Sequence, residues 1–146
     1  MPDTRVEFEA PGGRAEIEEG VRFTPRFGPD GLIACIAIDD QDGTVLMLAH
    51  MNAESLSRSI ETGEAWYWSR SRGELWHKGA TSGQVQRIVE MRVDCDQDAL
   101  LIRVAVAGDG GCCHTGRRSC FYRVVSRETG TDAVALTGSP PDASPT

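Results

Sequence analysis

Two short segments hold most of the side chains that can do chemistry. The first is Asp94-Cys95-Asp96-Gln97-Asp98. The second is Cys113-His114-Thr115-Gly116-Arg117-Arg118-Ser119-Cys120. Between them they offer three thiols, three carboxylates and an imidazole. Thiolates suit zinc, and carboxylates suit magnesium or calcium. A chain that carries both sets so close together reads as a metal-dependent enzyme.

If Asp94 to Asp98 is extended, alternate residues face opposite ways. Asp94, Asp96 and Asp98 then share a face, with Cys95 on the other. Three carboxylates at one spot repel unless a cation is present; the other reading is a solvated acidic turn. A calcium EF-hand needs glycine at its sixth position and glutamate at its twelfth. Those places hold Ala99 and Ala105, so that reading fails.

Cys95, Cys113 and Cys120 do not have the C-x-x-C spacing of a zinc finger. Three thiolates with an open fourth position form a catalytic zinc pattern, in which bound water approaches a pKa of about 7. A closed structural site with His114 as fourth ligand is the other possibility, and Cys112 is an alternative ligand to Cys113. In the open site, His114 is placed for general acid–base work.

A basic and aromatic stretch precedes these segments. Arg70, Arg72 and Lys78, with nearby hydroxyls and glycines, have the chemistry to hold a phosphate. Arg117 adds a further cation beside the thiols. Trp66, Trp68 and Trp76 either stack on a base or pack in a core or dimer contact.

Composition narrows the class. The net charge of −7 gives no general attraction to nucleic acid or an anionic membrane. No apolar run is long enough to span a bilayer, and the first residues lack a signal-peptide pattern. The reading is a cytoplasmic protein. Five cysteines, an odd number, argue against a disulfide framework. Cys35, inside Leu32–Ile38, reads as a small buried hydrophobe.

The elements that must position these groups are mostly strands. Leu32–Ile38 and Thr44–Ala49 predict a hairpin. Asn52 predicts a helix N-cap and Gly63 its stop, with Met51, Leu56 and Ile60 in the core. Ala65–Trp68 and Glu74–His77 flank a turn at Ser69–Gly73. Val85, Val89, Met91 and Val93 recur at strand period. Ala99–Val106 and Cys120–Val125 complete the set. The expected fold is α+β and predominantly β, a small single domain of six or seven strands and one clear helix. Residues 1–22 read as an N-terminal arm, loose or a short edge element. Residues 23–136 form the domain, and 137–146 a disordered tail.

Together these segments resemble the phosphoribosyl-AMP cyclohydrolase family. The resemblance is carried by Asp30-Gly31-Leu32-Ile33, Met51-Asn52, Tyr67-Trp68-Ser69-Arg70-Ser71-Arg72, Leu75-Trp76-His77-Lys78-Gly79, Asp94-Cys95-Asp96 and Cys113-His114-Thr115-Gly116 with Ser119-Cys120-Phe121. It implies zinc on Cys95, Cys113 and Cys120, and magnesium on Asp94, Asp96 and Asp98. It also implies an intertwined homodimer, with Cys95 of one chain joining Cys113 and Cys120 of the other. The activity implied is hydrolytic opening of the adenine N1–C6 bond of 1-(5-phosphoribosyl)-AMP, the third step of histidine biosynthesis. Zinc-bound hydroxide would attack C6, His114 would move the proton, and Arg70, Arg72, Lys78 and Arg117 would hold phosphates. Ile38, His50 and Cys112 depart from the family's usual Gln, Tyr and small residue, which leaves a paralogue with a shifted substrate as an alternative. A zinc nucleobase deaminase is disfavoured, because its H-x-E and P-C-x-x-C signature is absent. A non-catalytic zinc-stapled dimerisation module would have no use for the Arg and Asp clusters.

Overall fold

The computed structural model describes residues 6–108, 110–113, 115–127 and 129–138. Its centre is a four-stranded sheet in the order β2-β1-β6-β5. Strand β1 (Ile33–Asp39) pairs antiparallel with β2 (Val45–Met51) and parallel with β6 (Ala99–Val106). Strand β5 (Gln86–Val93) closes the other edge, antiparallel to β6. Two hairpins complete the strands: β3 (Trp66–Ser69) with β4 (Glu74–His77), and β7 (Arg123–Arg127) with β8 (Val134–Gly138). The α+β, mainly β class is as expected. The described residues hold eight strands and two helices rather than six or seven strands and one helix. The additions are β8 and the six-residue α1 (Arg14–Glu19).

Alternation along β1 sends Ile33, Cys35 and Ala37 into the core, where they meet Leu46, Leu56, Leu100, Ile102 and Val104. Burial pushes the Cys35 thiol up to about 12, so it behaves as a small apolar side chain. Helix α2 (Ala53–Thr62) is set by local sequence. The Asn52 side chain accepts from the Ser55 amide, and the Ser55 hydroxyl accepts from the Asn52 amide, a reciprocal cap. Gly63 ends it at φ 74°, a conformation that favours glycine. Leu56 is buried, but Ile60, expected in the core, is 40% exposed on the outer side.

Strand β5 departs from a simple alternation. Its register with β6 shifts between Ile88 and Glu90, as in a bulge. Ile88 and Met91 pack against the core, while Val89 and Val93 are exposed. The expected apolar face of Val85, Val89, Met91 and Val93 is therefore broken by an extra residue.

The N-terminal arm is tied down rather than loose. Besides α1, it places Phe8 edge-on to Phe23 at 5.7 Å, and the Val6 amide donates to Glu61 at 2.6 Å. At the other end, Thr137 and Gly138 of the expected tail close β8, and residues 139–146 lie outside the described residues.

Candidate active site

The segment from Cys112 to Cys120 is stitched to two strands. The Cys120 amide donates to the Leu46 carbonyl at 2.7 Å, and the Ser119 hydroxyl to the Val45 carbonyl at 2.7 Å. Both contacts hold it to the start of β2. Lys78, just past β4, donates its ammonium to the Cys112 carbonyl at 2.5 Å. Within the segment, the Gly116 amide donates to the Cys113 carbonyl and the Cys113 amide to the Arg117 carbonyl.

Cys113 and Cys120 are brought together by this loop. Partial burial acts to raise the Cys113 thiol, but hydrogen bonds from Thr115 and from the Cys120 thiol, with the Arg117 charge, outweigh it. The net shift is downward. Burial, reinforced by the charge on Cys113, pushes Cys120 up to about 12. Two thiols that compete in this way suit a shared soft cation, which would let both ionise. His114 lies outside the described residues.

Cys95 stands elsewhere. It sits in the turn between β5 and β6, and β6 begins with Ala99 paired to Ala34. Cys120 is held to Leu46, at the level where Ile38 pairs with Val45. Ala34 and Ile38 are separated by roughly 13 Å at the rise of an extended strand. Among the described residues, the three thiols do not converge within one chain.

The three carboxylates do converge. Oxygens of Asp94, Asp96 and Asp98 lie within 4.8 Å of one another. The cause is a turn, not strand alternation. Gln97 adopts φ 59°, and Asp94 Oδ1 accepts from the amides of Asp98 and Ala99 at 2.9 and 3.1 Å. Hydrogen bonding to Asp96 and Asp94 raises the Asp98 carboxyl to about 6, with charge repulsion adding to the shift. Such a cluster fits a hard divalent cation.

The cationic candidates separate. Arg70 is exposed and lines an open cavity of about 490 Å³, with His50, Trp68 and Trp76 also in its wall. Burial and the Arg70 charge lower the His50 pKa, against an opposing effect of Asp30. Exposed Arg72 bonds Ser69 through Nε at 3.2 Å and lies 3.6 Å from Glu74. Arg117 stacks over Tyr122 at 3.7 Å, close enough to Cys113 to influence its charge.

Lys78 is 7% exposed and faces inward, with its ammonium over the Trp76 ring at 5.1 Å. Its ammonium is turned to the Cys112 carbonyl rather than to open solvent. A lysine beside arginines and glycines looks like a phosphate ligand; its burial is a tertiary property. Of the three tryptophans, Trp66 stacks on His77 at 4.3 Å, leaving Trp68 and Trp76 on the cavity. Sequence reading gave His50 no place in this cavity. Its closeness to Arg70 depends on packing between β2 and β3, which no local pattern reports.

Gly79 fixes the turn after Lys78. At φ 87°, a Cβ there would sit 2.2 Å from the Gln84 and Val85 backbone. Only glycine permits that approach.

The sequence model of the phosphoribosyl-AMP cyclohydrolase family matches residues 47–122. A phosphoribosyl-AMP cyclohydrolase of Brucella anthropi is 57% identical over 129 residues, covering 88% of this chain and 92% of the relative. Enzymes of the same name from Nitrobacter hamburgensis and Bradyrhizobium diazoefficiens are 62% and 64% identical. They cover 80% and 79% of this chain, and 78% and 81% of their own lengths.

Proposed function

Because the chain belongs to the phosphoribosyl-AMP cyclohydrolase family and is an enzyme, we propose that it opens the adenine ring of 1-(5-phosphoribosyl)-AMP by hydrolysis at the N1–C6 bond. The observation that carries the finer reading is the placement of the thiols at opposite levels of β1. A three-thiolate zinc site then needs two chains: Cys95 from one, Cys113 and Cys120 from the other. The active form in this reading is a homodimer acting in the cytoplasm.

Zinc held by these thiolates would supply a Lewis acid and make hydroxide available near neutral pH. The chain's own residues bind and orient the nucleotide. Arg70, on the open cavity, takes a phosphate, and Trp68 and Trp76 offer faces to the purine. The lowered pKa of His50 favours its neutral form, so it can hydrogen-bond in the cavity without adding charge. Water adds at C6, the N1–C6 bond breaks, and a proton reaches N1; we assign its movement to His114. Asp94, Asp96 and Asp98 would hold magnesium and so relieve their mutual repulsion.

Turnover of phosphoribosyl-AMP, followed by ultraviolet absorbance before and after zinc removal, tests the proposal. Ring opening that stops on stripping and returns with zinc supports it. Folded, zinc-loaded protein with magnesium present and no turnover sinks the substrate assignment.

A further inference from the structure

Gln97 is the residue where the N-terminal segment meets the carboxylate turn. It is the one non-glycine residue at positive φ among those described, and it is 4% exposed. Its side-chain amide is used at both ends. Oε1 accepts from the Thr24 amide at 2.8 Å, and Nε2 donates to the carbonyls of Ile17 and Arg22 at 2.9 and 3.2 Å. The Gln97 carbonyl accepts from the Arg26 amide at 2.7 Å. Arg26 Nη1 also lies 3.9 Å from Asp96 Oδ2. Thus α1 and the residues after it are fastened to the middle of the Asp94–Asp98 turn. The same segment walls a cavity of about 330 Å³ against Asp94 and Cys95.

This fastening addresses a local conflict. Left-handed backbone is disfavoured for a side-chain-bearing residue. Clustered carboxylates oppose the same turn through repulsion. We propose that the N-terminal segment is a positioning strap, which acts through Gln97 to hold the Asp94–Asp98 turn in its convergent, cation-ready form. A preformed turn binds a cation without first ordering the loop. The cation part of this inference rests on the reading of the aspartates as a magnesium site.

Gln97→Gly in the full-length chain is the informative variant. Glycine accepts φ 59° freely, so the variant removes the side-chain latch while easing the backbone. Amide exchange at Asp98 and Ala99 decides the matter. Both donate to Asp94 Oδ1, while the Gln97 side chain bonds Thr24, Ile17 and Arg22 instead. Faster exchange at both is expected. Mn²⁺, used as the probe cation, is expected to bind about tenfold more weakly to the variant. By linkage, Mn²⁺ should slow exchange of the Thr24 amide in the parent protein. Unchanged exchange at Asp98 and Ala99 overturns the strap, whatever Mn²⁺ does. A parent protein that binds no Mn²⁺ overturns the magnesium reading instead, and the strap is then judged by exchange alone.

Discussion

The Lys78 ammonium lies 2.5 Å from the Cys112 carbonyl, so a buried charge fixes the backbone next to Cys113. Lys78→Met removes both the charge and the donor and leaves that carbonyl unpaired. The expected cost is about 1–3 kcal/mol of stability, measured by urea unfolding. Because the ammonium does not face the cavity, KM should move by less than about twofold. A large rise in KM with unchanged stability would restore Lys78 as a phosphate ligand.

The proposed zinc site, built across two chains, can be tested by complementation. Cys95→Ser and Cys113→Ser proteins are each expected to be inactive. Unfolded and refolded together, half their dimers are mixed, and each mixed dimer holds one intact site. Recovery of about a quarter of parent activity is expected. No recovery, with mixed dimers present, would place the ligands within one chain.

Tyr67 and Gln86 are both fully buried, and the Tyr67 hydroxyl donates to Gln86 Oε1 at 2.6 Å. Gln86 also reaches Met47 Sδ at 3.2 Å and Cys112 Sγ at 3.6 Å, linking β5 to β2 and to the thiol segment. Tyr67→Phe leaves the acceptor unpaired. It should cost about 1–3 kcal/mol, read from the urea midpoint at constant m-value.

Asp42 carries a pH signature. Hydrogen bonds from the Arg118 guanidinium and from Thr44 lower its carboxyl from 3.8 to about 2. Arg118 also holds Asp39, at 3.0 Å. A carboxyl depressed in the folded state stabilises fully above its unfolded pKa, here about 3.8. That contribution fades as the pH falls toward 2. Asp42→Asn should flatten this part of the stability profile between pH 4 and 2, roughly the interval between the two pKa values. An unchanged acid slope would show that the bridge does not persist in solution.

What the sequence displays depends on the range of the interaction. Helix α2 could be read from Asn52 and Gly63 because caps are local. The hairpin of β1 and β2 followed from apolar runs on either side of a turn. The bulge at Val89 could not, since it is defined by the partner strand. The carboxylates were expected to converge and do, but through Gln97 in a turn rather than by alternation. For Lys78 the sequence shows a charge and not its burial. Gln97 and Gln86 gave no chemical signal; their only trace is a polar residue where a strand or turn would accept many others.

The parallel pairing of β1 with β6 also sets an order of events. Ala34 meets Ala99, so the central ladder joins segments far apart in the chain, and every residue of α2, β3, β4 and β5 must be made first. Long-range pairing of this kind slows folding. The turn bearing Cys95 leads into β6, whereas the Cys120 amide is held to Leu46 of β2, so the two thiol loops share one sheet only once that ladder closes. Capture of the proposed zinc is then a late event. Zinc should slow unfolding while leaving the refolding rate nearly unchanged, which stopped-flow fluorescence of the tryptophans can measure.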